Sequence, residues 1–483
     1  MTFIRELQPA ALWRHFDRIL EIPRGSGEED RIREYVVEVA ERNCLQHRLD
    51  GTGNVVVRKP AAPGREEAAI TVLQSHLDMV NEKNSDVEHD FSRDPIVPER
   101  DGDYLTARGT TLGSDNGVGV AAMLALMEAD DVDHPPLELL FTIDEETGLT
   151  GAAQLDPDLL EGRRLLNLDT EEEGTIYVGC AGGGDSHLRL EVDRIPPPRG
   201  AAALHVGLRG LKGGHSGVDI HLQRGNAVRL LARLLDAGAR GTAPHIADFQ
   251  GGNKHNAIPR EARAVVVLSA GEVEGFRERT EAEFMRARAA FAPADPDMAL
   301  EARTVEIPDS VLDPQTSWRA LHLVHALPHG VLAMSYAIPD LVETSTNLAA
   351  ARIEDRTLHI LTSSRSSVAS ELLAARAWIR AIAHLAGAAV EEDRPYPGWK
   401  PDLNSPLLEV VRTVYADELG REPEIKAIHA GLETGIIGEK IPGMDMVSIG
   451  PQIEFPHSPD ERVRIPSVAE FFRVLGRVLE RLP

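Results

Sequence analysis

Imidazole and carboxylate groups stand at seven positions of the chain where together they could hold two divalent metal ions. These residues are His76, Asp78, Asp115, Glu145, Glu146, Asp169 and His457. Two such ions held close together need roughly seven to eight donor atoms, with one carboxylate bridging both ions and another free to act as a base. Two imidazoles and three carboxylates would suffice as ligands, which leaves Asp78 and Glu145 as supporting and catalytic groups. The chemistry that this set predicts is hydrolysis by an activated water.

Each of these residues also has a plainer interpretation. The chain contains 77 Asp and Glu residues and 18 His residues, and charged side chains mostly lie at the protein surface. Taken one at a time, each is more often a solvated surface group. Their positions relative to the predicted secondary structure favour the functional interpretation.

Three apolar runs that read as buried strands each end just before members of this set. Open α/β sheets place ligand-binding groups just beyond the carboxyl ends of their strands, and side chains at i and i+2 of an extended segment point the same way. The runs and the residues that follow them are 69–73 with His76 and Asp78, 137–143 with Glu145 and Glu146, and 165–168 with Asp169. Three strand ends therefore deliver acids or imidazoles.

Asp115 lies in the glycine-rich segment 113–119, directly before the helix-like segment 120–127. A glycine-rich loop at the start of a helix can also bind phosphate. Here no Walker lysine follows, and the glycines do not have the spacing of a dinucleotide-binding loop. The metal-ligand interpretation of Asp115 is therefore the stronger one.

Six segments in order resemble the M20-type metallopeptidases, a family of aminoacylases, carboxypeptidases and dipeptidases with co-catalytic zinc, and most closely its dipeptidase branch. The segments are Ser75–Val80, Thr111–Gly117, Asp144–Gly148, Asn167–Asp169, Gly213–Gly217 and Pro456–Glu461. They extend over nearly the whole chain, and six motifs in order are far more specific than any one of them. No position where the family has a metal ligand or the general base departs from the pattern.

The resemblance implies a role for each residue of the metal set. It assigns the ligands as His76, Asp115, Glu146, Asp169 and His457, with Asp115 bridging two divalent ions per chain. The ions would be zinc, with manganese or cobalt as alternatives. Glu145 would be the general base and acid, and Asp78 would hydrogen-bond His76 and fix its tautomer.

The resemblance also implies four residues that bind substrate. His215, within Gly213–Gly217, would stabilise the carbonyl or oxyanion, although a lone histidine is more often structural or exposed. Asn256 and Arg365 would hold the terminal carboxylate, for which a planar guanidinium is well suited. Gly431 would approach the substrate through its backbone. Whether His215 acts in its own subunit or in a partner's is left open. Five further histidines are expected to be structural or at the surface: His187, His205, His221, His255 and His429.

The periodicity of apolar residues predicts an α/β fold with a discontinuous catalytic domain. Helix and strand patterns alternate in residues 1–183, as in a mostly parallel sheet covered by helices, and resume in residues 395–483. Residues 184–394 read as an inserted α+β domain, which we call the lid. Because the candidate ligands flank this insert, the catalytic domain must be built from both ends of the chain. A capping-box pattern at Ser26–Glu29 predicts the start of the second helix.

Composition limits the partners and the compartment. A net charge of −26 argues against nucleic acid or an anionic membrane as a partner, since phosphate-binding surfaces need clustered basic residues. The first residues lack the features of a signal peptide, and no apolar run is long enough to cross a membrane. Cys44 and Cys180 are expected to be reduced thiols. We therefore expect a cytoplasmic enzyme, and further a homodimer.

Three functional hypotheses follow. The first is a metal-dependent dipeptidase that cleaves unblocked dipeptides, including those ending in histidine, by a metal-bridged water with Glu145 as base. The second keeps the metals but acts on other substrates, as an N-acyl amino acid amidohydrolase or a carboxypeptidase. The third is a binding protein without catalysis, which would be expected to have lost Glu145 or a ligand. A lid of about 210 residues favours the dipeptidase branch over its relatives with shorter lids.

Overall fold

The structure is a computed structural model that describes residues 3–483; Met1 and Thr2, with which the first predicted catalytic segment begins, lie outside the described residues. The chain forms two compact units. Unit 1 contains the chain up to Cys180 together with Trp399–Ala427 and Leu432–Pro483, and unit 2 contains Ala181–Gly398 and Ile428–Gly431.

The first segment of unit 1 alternates helices and strands. Its helices are α1 (Ala10–Ile19), α2 (Asp30–Arg42), α3 (Ser114–Glu128), α4 (Glu145–Gly148) and α5 (Thr150–Gln154). Its strands are β1 (Gln46–Leu49), β2 (Val55–Lys59), β3 (Thr71–His76), β4 (Pro98–Asp101), β5 (Tyr104–Ala107), β6 (Leu137–Thr142), β7 (Arg164–Asn167) and β8 (Thr175–Cys180).

Unit 2 is richer in long strands. Its strands are β9 (Gly182–Glu191), β10 (Arg194–Ile195), β11 (Ala201–Arg209), β12 (Gly214–His215), β13 (His245–Gly251), β14 (Ala257–Ile258), β15 (Ala262–Ser269), β16 (Ala299–Val305), β17 (Val311–Leu312), β18 (Gly330–Met334), β19 (Val342–Glu354), β20 (Thr357–Ser366) and β21 (Ala389–Glu392). Its helices are α6 (Ala227–Gly238), α7 (Val273–Phe291), α8 (Pro314–Ala326) and α9 (Ala369–Ala386).

The end of the chain returns to unit 1. Its elements are α10 (Pro406–Leu419), β22 (Glu424–Ile428), α11 (Glu433–Lys440), β23 (Asp445–Ser448), β24 (Ile453–Glu454), β25 (Arg462–Arg464) and α12 (Ile465–Arg481). Short 3-10 helices lie at Phe3–Glu6, Pro157–Leu159, Ile220–Leu222 and Ala270–Glu272.

The main sheet of unit 1 has the strand order β1-β2-β6-β3-β7-β23-β8-β22. Its centre is parallel, because β3 pairs in parallel with β6 and β7, and β7 pairs in parallel with β23. The flanking pairs β1-β2, β2-β6 and β23-β8 are antiparallel. Every residue of β3 and of β6 is buried, as expected for strands covered on both faces. The predicted α/β class with a helix-covered, largely parallel sheet is confirmed.

Helix α3 is apolar on all sides after its first turn, and it is buried. All of its residues from Ser114 to Met127 are buried, and it packs against α1 and β3. A helix without a polar face can also indicate a membrane span. Among residues 3–483, however, the structure contains no helix with the length and hydropathy needed to cross a bilayer.

Unit 2 is built on a nine-stranded sheet in the order β16-β11-β15-β13-β19-β20-β9-β21, with β18 paired to β19. The strand pairs of this sheet are antiparallel. Helix α6 packs against α7 and α8, and Leu231 and Leu234 on its apolar side are fully buried. This antiparallel sheet with separate helices is the α+β architecture predicted for the insert.

The predicted capping box at Ser26–Glu29 is wrong. Helix α2 begins at Asp30, and its N-cap residue Glu29 makes no side-chain cap hydrogen bond. The Ser26 hydroxyl instead donates to Asp78 Oδ2 at 2.8 Å. In a capping box the Ser26 oxygen would accept from a backbone N–H of the helix, whereas here the hydroxyl donates to a buried carboxylate, a strong charged acceptor, so Ser26 belongs to the candidate site.

Candidate metal centre and substrate-binding residues

Three neighbouring strands of the unit 1 sheet bring the candidate ligands to one edge. His76 is the last residue of β3, Asp169 follows β7, and Glu145 and Glu146 follow β6. These strands are adjacent and parallel, so their carboxyl ends meet at the same edge. Asp144 adopts a left-handed conformation with φ of 50°, which turns the chain sharply from β6 into α4.

Asp115 lies between the two histidines. Its Oδ1 atom is 3.1 Å from His76 Nε2, and its Oδ2 atom is 3.1 Å from His457 Nε2. His76 Nε2 is also 3.4 Å from Asp169 Oδ1, and His457 Nε2 is 2.9 Å from Glu146 Oε2. The donor atoms of His76, Asp115 and Asp169 lie within 4.8 Å of one another, as do those of Asp115, Glu146 and His457. The two groups share one carboxylate, which is the arrangement of a bridging ligand.

The electrostatics of the centre show that its carboxylates require positive charge. Burial, opposed by His76 and reinforced by Asp115, raises the pKa of Asp169 to about 6. Hydrogen bonds with Asp115 and then Glu146 raise the pKa of His457 to about 11. Burial disfavours a charge on His76, yet Asp169 and Asp115 raise its pKa well above the ordinary value. The raised pKa values of both imidazoles show that the surrounding carboxylates favour positive charge at this centre.

The donor set fits two divalent ions. One oxygen, Glu146 Oε1, is buried and receives no hydrogen bond from any residue in the range 3–483. Buried polar atoms without a partner are rare, and a carboxylate oxygen facing two imidazoles and two further carboxylates is a common metal donor. Ligation by an ion would satisfy this atom.

Asp78 connects the first histidine to the two glutamates. It is fully buried, and its Oδ1 atom is 3.2 Å from His76 Nδ1. Its carboxylate also accepts hydrogen bonds from the backbone nitrogens of Glu145 and Glu146, at 3.0 and 3.1 Å. Burial alone would raise its pKa, but hydrogen bonds with His76 and Ser26 lower that pKa to about 2. Asp78 therefore stays charged and fixes both the His76 ring and the backbone of Glu145 and Glu146.

Among the acids of the candidate metal set, Glu145 has a side chain that no other described residue holds by a hydrogen bond. Its carboxyl oxygens receive no hydrogen bond from any described side chain or backbone group, whereas Asp78 holds its backbone nitrogen. Burial, and then the negative charges of Asp169, Glu433 and Glu146 acting against His76, raise the pKa of Glu145 well above its ordinary value. A carboxyl with a raised pKa beside a metal centre suits proton transfer.

Three supporting residues near the centre were not predicted from the sequence. The Glu461 carboxylate accepts hydrogen bonds from the backbone nitrogens of Leu112, Gly113 and Ser114 at 2.7–2.9 Å. The buried Arg24 guanidinium donates to the carbonyl oxygens of Leu77 and Asp78 at 3.0 and 2.8 Å, and also to that of Gly113. Glu461 and Arg24 thus hold the backbone next to Asp115 and Asp78.

Glu433 is the third residue that we did not predict. Its buried carboxylate accepts hydrogen bonds from Gln74 Nε2 at 2.5 Å and Thr142 Oγ1 at 2.7 Å. Burial raises its pKa to about 7. The sequence contained a signal for two of the three residues, because Glu461 ends one family-like segment and Glu433 follows Gly431 by two positions. Arg24 has no such signal.

Unit 2 contains the predicted substrate-binding residues. His215 on β12 pairs with Ala257 on β14, which places it beside Asn256. Its Nδ1 atom accepts hydrogen bonds from the backbone nitrogens of Gly217 and Val218, both at 3.2 Å, so the hydrogen of the neutral ring is on Nε2. Burial, and then the charge of Arg365, lower the pKa of His215. His215 is therefore a neutral hydrogen-bond donor.

Arg365 on β20 is a buried cation with no carboxylate within ion-pair distance among residues 3–483. It is 7% exposed, and its Nη1 atom is 2.9 Å from the Tyr396 hydroxyl. Its Nε atom has no hydrogen-bond partner in the described part of the chain. A buried guanidinium with unused donors is well prepared to bind a carboxylate.

Gly431 and His429 lie in the same neighbourhood as Arg365. A Cβ atom on Gly431 would lie 3.0 Å from the Tyr396 ring, so the backbone approaches this tyrosine closely. His429, expected to be structural or at the surface, is buried, and its Nε2 atom is 2.7 Å from the Ser345 hydroxyl. Burial, and then the charge of Arg365, lower the pKa of His429 to about 3, so it adds no charge.

Two imidazoles around a shared carboxylate, at the edge of a sheet with a parallel centre, are the arrangement expected of a metal-dependent hydrolase. Residues 72–481 match the model of peptidase family M20/M25/M40, and the chain therefore belongs to that family. The chain is 40% identical over 483 residues to the cytosol non-specific dipeptidase of Escherichia coli (strain K12), with all of both chains covered.

Solved structures agree with this assignment. The crystal structure of aminoacylhistidine dipeptidase from Vibrio alginolyticus superposes with a TM-score of 0.93 at 41% identity, covering 100% of this chain and 98% of that chain. Aminopeptidase PepT from Bacillus cereus ATCC 10987 has a TM-score of 0.58 at 16% identity, with 99% of both chains covered. The latter shows a shared fold alone.

Proposed function

We propose that the protein is a dinuclear metal-dependent dipeptidase that hydrolyses dipeptides with free amino and carboxyl termini, those ending in histidine included. The observation that carries this proposal is the Asp115 carboxylate, with one oxygen on His76 and the other on His457. The proposal is further supported by full-length similarity to two proteins whose names describe dipeptidases.

Two groups of residues would each hold one ion. His76, Asp115 and Asp169 form the first, and Asp115, Glu146 and His457 form the second. Two divalent ions bound there would lower the pKa of a shared water to about 7 and polarise the peptide carbonyl. We propose zinc as the ion, since imidazole and carboxylate donors suit it, with manganese or cobalt as alternatives.

Glu145 performs the proton transfer in this proposal. Its carboxylate takes a proton from the attacking water and gives it to the nitrogen of the leaving amine. The raised pKa of Glu145 favours this role, because a carboxylate with a raised pKa accepts a proton more readily than an ordinary carboxylate does. Asp78 holds Glu145 in place through its backbone nitrogen.

The lid groups recognise the remaining atoms of the substrate. His215 presents its Nε2 hydrogen to the scissile carbonyl, Arg365 and Asn256 bind the terminal carboxylate, and the backbone at Gly431 contacts the substrate. Support comes from the neutral state of His215 and the unpaired guanidinium of Arg365. We propose residues 184–394 as this lid, inserted between the catalytic segments 1–183 and 395–483.

A panel of substrates tests the function. Unblocked dipeptides should be cleaved efficiently, whereas a tripeptide and an amidated dipeptide should react roughly a hundredfold more slowly, because a misplacement of about 1 Å can reduce a rate by that factor. Elemental analysis of the same sample should give two ions per chain. Efficient release of acetate from N-acetyl amino acids would assign the protein to the amidohydrolases instead.

We also propose that the protein is cytoplasmic and forms a homodimer. The first proposal is supported by the name of the Escherichia coli relative, a cytosol dipeptidase. The second is supported by three large apolar side chains exposed on α9, which are Leu373, Trp378 and Leu385, at 58%, 51% and 90% exposure. Exposed apolar patches commonly mark protein interfaces.

Light scattering on the purified chain tests the homodimer. The wild type should have twice the mass of one chain. A variant with Trp378→Glu and Leu385→Glu should shift to the monomer, while Met285→Glu on α7, which is 59% exposed, should not. A monomeric wild type would contradict the proposal.

A further inference from the structure

A pocket of about 760 Å³ opens in unit 2. It lies between the start of α6, the ends of α7 and α8, and the start of β18. His215 and Asn256 line a different cavity of this unit, and the two cavities have only Ile258 in common. The pocket is therefore separate from the residues proposed to bind the dipeptide.

The lining of this pocket is positive, although the chain as a whole is strongly negative. Its basic side chains are Arg224, Arg229, Arg233, His221, His325 and His329. No Asp or Glu is among its described lining residues, whereas the chain has 77 acidic residues against 51 Lys and Arg. A pocket without carboxylates in such a chain selects for anions.

Arg229 is the uncompensated cation of the pocket. Arg233 forms an ion pair with Glu283 at 2.6 Å, and Arg224 donates to the Gly213 carbonyl oxygen at 2.6 Å. Arg229 has no carboxylate within ion-pair distance in the described chain. Burial, and then repulsion from Arg233, lower its pKa, and an arginine nevertheless remains charged in proteins. Its guanidinium therefore has donors to offer an anion.

His329 supplies a neutral donor beside this cation. Asn226 Nδ2 donates to the Leu348 carbonyl oxygen at 2.8 Å and lies 3.2 Å from His329 Nδ1. Asn226 Oδ1 accepts from the backbone nitrogen of Arg229 at 3.1 Å, so the amide orientation is fixed. An amide nitrogen can only donate. His329 Nδ1 must therefore accept, and the ring hydrogen is on Nε2.

The same pocket has an apolar floor. Leu230 and Ile258 are buried, and Phe291 lines the wall at the end of α7. The pocket also includes Asn226 and Arg229 at the start of α6, where the helix dipole favours negative charge. A ligand that matches these features has an oxyanion at one end and an apolar body at the other.

We propose that this pocket binds a small phosphate monoester. The phosphate lies against Arg229, His329 and the start of α6, and the apolar part of the ester lies on Leu230 and Phe291. A phosphate fits better than a carboxylate, because its three oxygens can accept hydrogen bonds from the guanidinium and the imidazole at the same time and because it carries more negative charge near pH 7.

Calorimetric titration of the metal-loaded, full-length protein with phenyl phosphate tests the proposal. Phenyl phosphate should bind at least about tenfold more tightly than inorganic phosphate or benzoate, because only it combines both features. Arg229→Gln should weaken binding by at least about tenfold, since a hydrogen bond to a charged group is lost. Arg240→Gln is the matched control: Arg240 follows α6 and does not line the pocket, so this variant should bind as the wild type does.

A second variant, His329→Phe, removes the neutral donor but keeps a ring of similar shape, and it should also weaken binding. If either pocket variant unfolds at a lower temperature than the wild type, the other variant provides the test. Dipeptide hydrolysis checks that each variant is folded. Equal binding by the wild type and both pocket variants would overturn the proposal, because phosphate would then be held elsewhere, for example at the metal ions. No detectable binding of phenyl phosphate by the wild type would overturn it as well.

Discussion

Replacing Glu461 by glutamine should weaken the loop that carries the bridging ligand. One carboxylate oxygen accepts from Leu112 N at 2.8 Å and Gly113 N at 2.9 Å. The other accepts from Ser114 N at 2.7 Å, Ser114 Oγ at 2.6 Å and Asp115 N at 3.3 Å. Glutamine has the same shape but only one accepting oxygen. In either orientation of the amide, its NH2 group faces backbone donors.

The size of the effect follows from these contacts. About two buried backbone donors lose their acceptor, and each such loss costs roughly 1–3 kcal/mol. Burial raises the pKa of Glu461, so removing its charge returns part of the desolvation cost. We therefore expect a loss of about 2–4 kcal/mol in the free energy of unfolding, and a loss of roughly 10–100-fold in metal affinity, as for other groups that orient ligands.

Urea unfolding of the metal-free protein measures the first quantity, and competition with a chromophoric chelator measures the second. Glu454→Gln is the matched control. Glu454 pairs with Arg462 at the surface, and such pairs contribute about 0–1 kcal/mol. If Glu461→Gln unfolded at the same urea concentration as the wild type and kept its metal affinity, Glu461 would not hold the Asp115 loop.

Three further predictions concern the chemistry. Glu145→Gln should lower kcat by roughly a hundred- to ten-thousandfold while elemental analysis still finds two ions; near-native turnover would exclude Glu145 as the base. Arg365→Ala should erase the preference for a dipeptide over its C-terminal amide, measured as the ratio of kcat/KM values; an unchanged ratio would remove Arg365 from carboxylate binding. At pH 8 the metal-free protein should hold protons on His76 and His457, because both pKa values are raised, that of His457 to about 11. Loading with zinc should therefore release about two protons per chain, and the affinity for zinc should increase as the pH rises toward 9. Calorimetry in buffers of different ionisation enthalpy measures the proton release. No release would mean that these imidazoles were already neutral.

The metal set could be predicted from the sequence because its signals are local. An apolar run followed within a few positions by an acid or imidazole marks the end of a buried strand. The observed strands β6 and β7 end within one residue of their runs, and β3 continues three residues beyond its run, to His76. The adjacency of these strands is a property of the sheet order. It places His76, Glu145 and Asp169 at one edge although 93 residues separate the first from the last.

The supporting residues could not be predicted in this way because their partners are distant and mostly backbone atoms. Glu461 binds backbone nitrogens about 350 residues earlier in the chain, and Arg24 binds carbonyl oxygens that every residue type has. Ser26 shows how a local pattern can mislead. The pattern matches a capping box, but the Ser26 hydroxyl donates to Asp78, which is 52 positions away. The strand order of the unit 2 sheet is likewise set by pairings between distant segments.

Asp78 links the metal ligand and the base in a single group. One oxygen faces His76 Nδ1, and the two oxygens also accept the backbone hydrogens of Glu145 and Glu146. Its charge holds the His76 ring with Nε2 toward Asp115, and the same charge fixes the turn that carries Glu145, the proposed base, and Glu146, a proposed metal ligand. A small displacement of Asp78 would therefore move a ligand of each ion and the base together. Asp78 is in turn held from outside by Ser26 and by Arg24, whose guanidinium binds the Asp78 carbonyl oxygen. In the proposed mechanism, proton transfer and metal binding share this one support, so the support must itself be rigid.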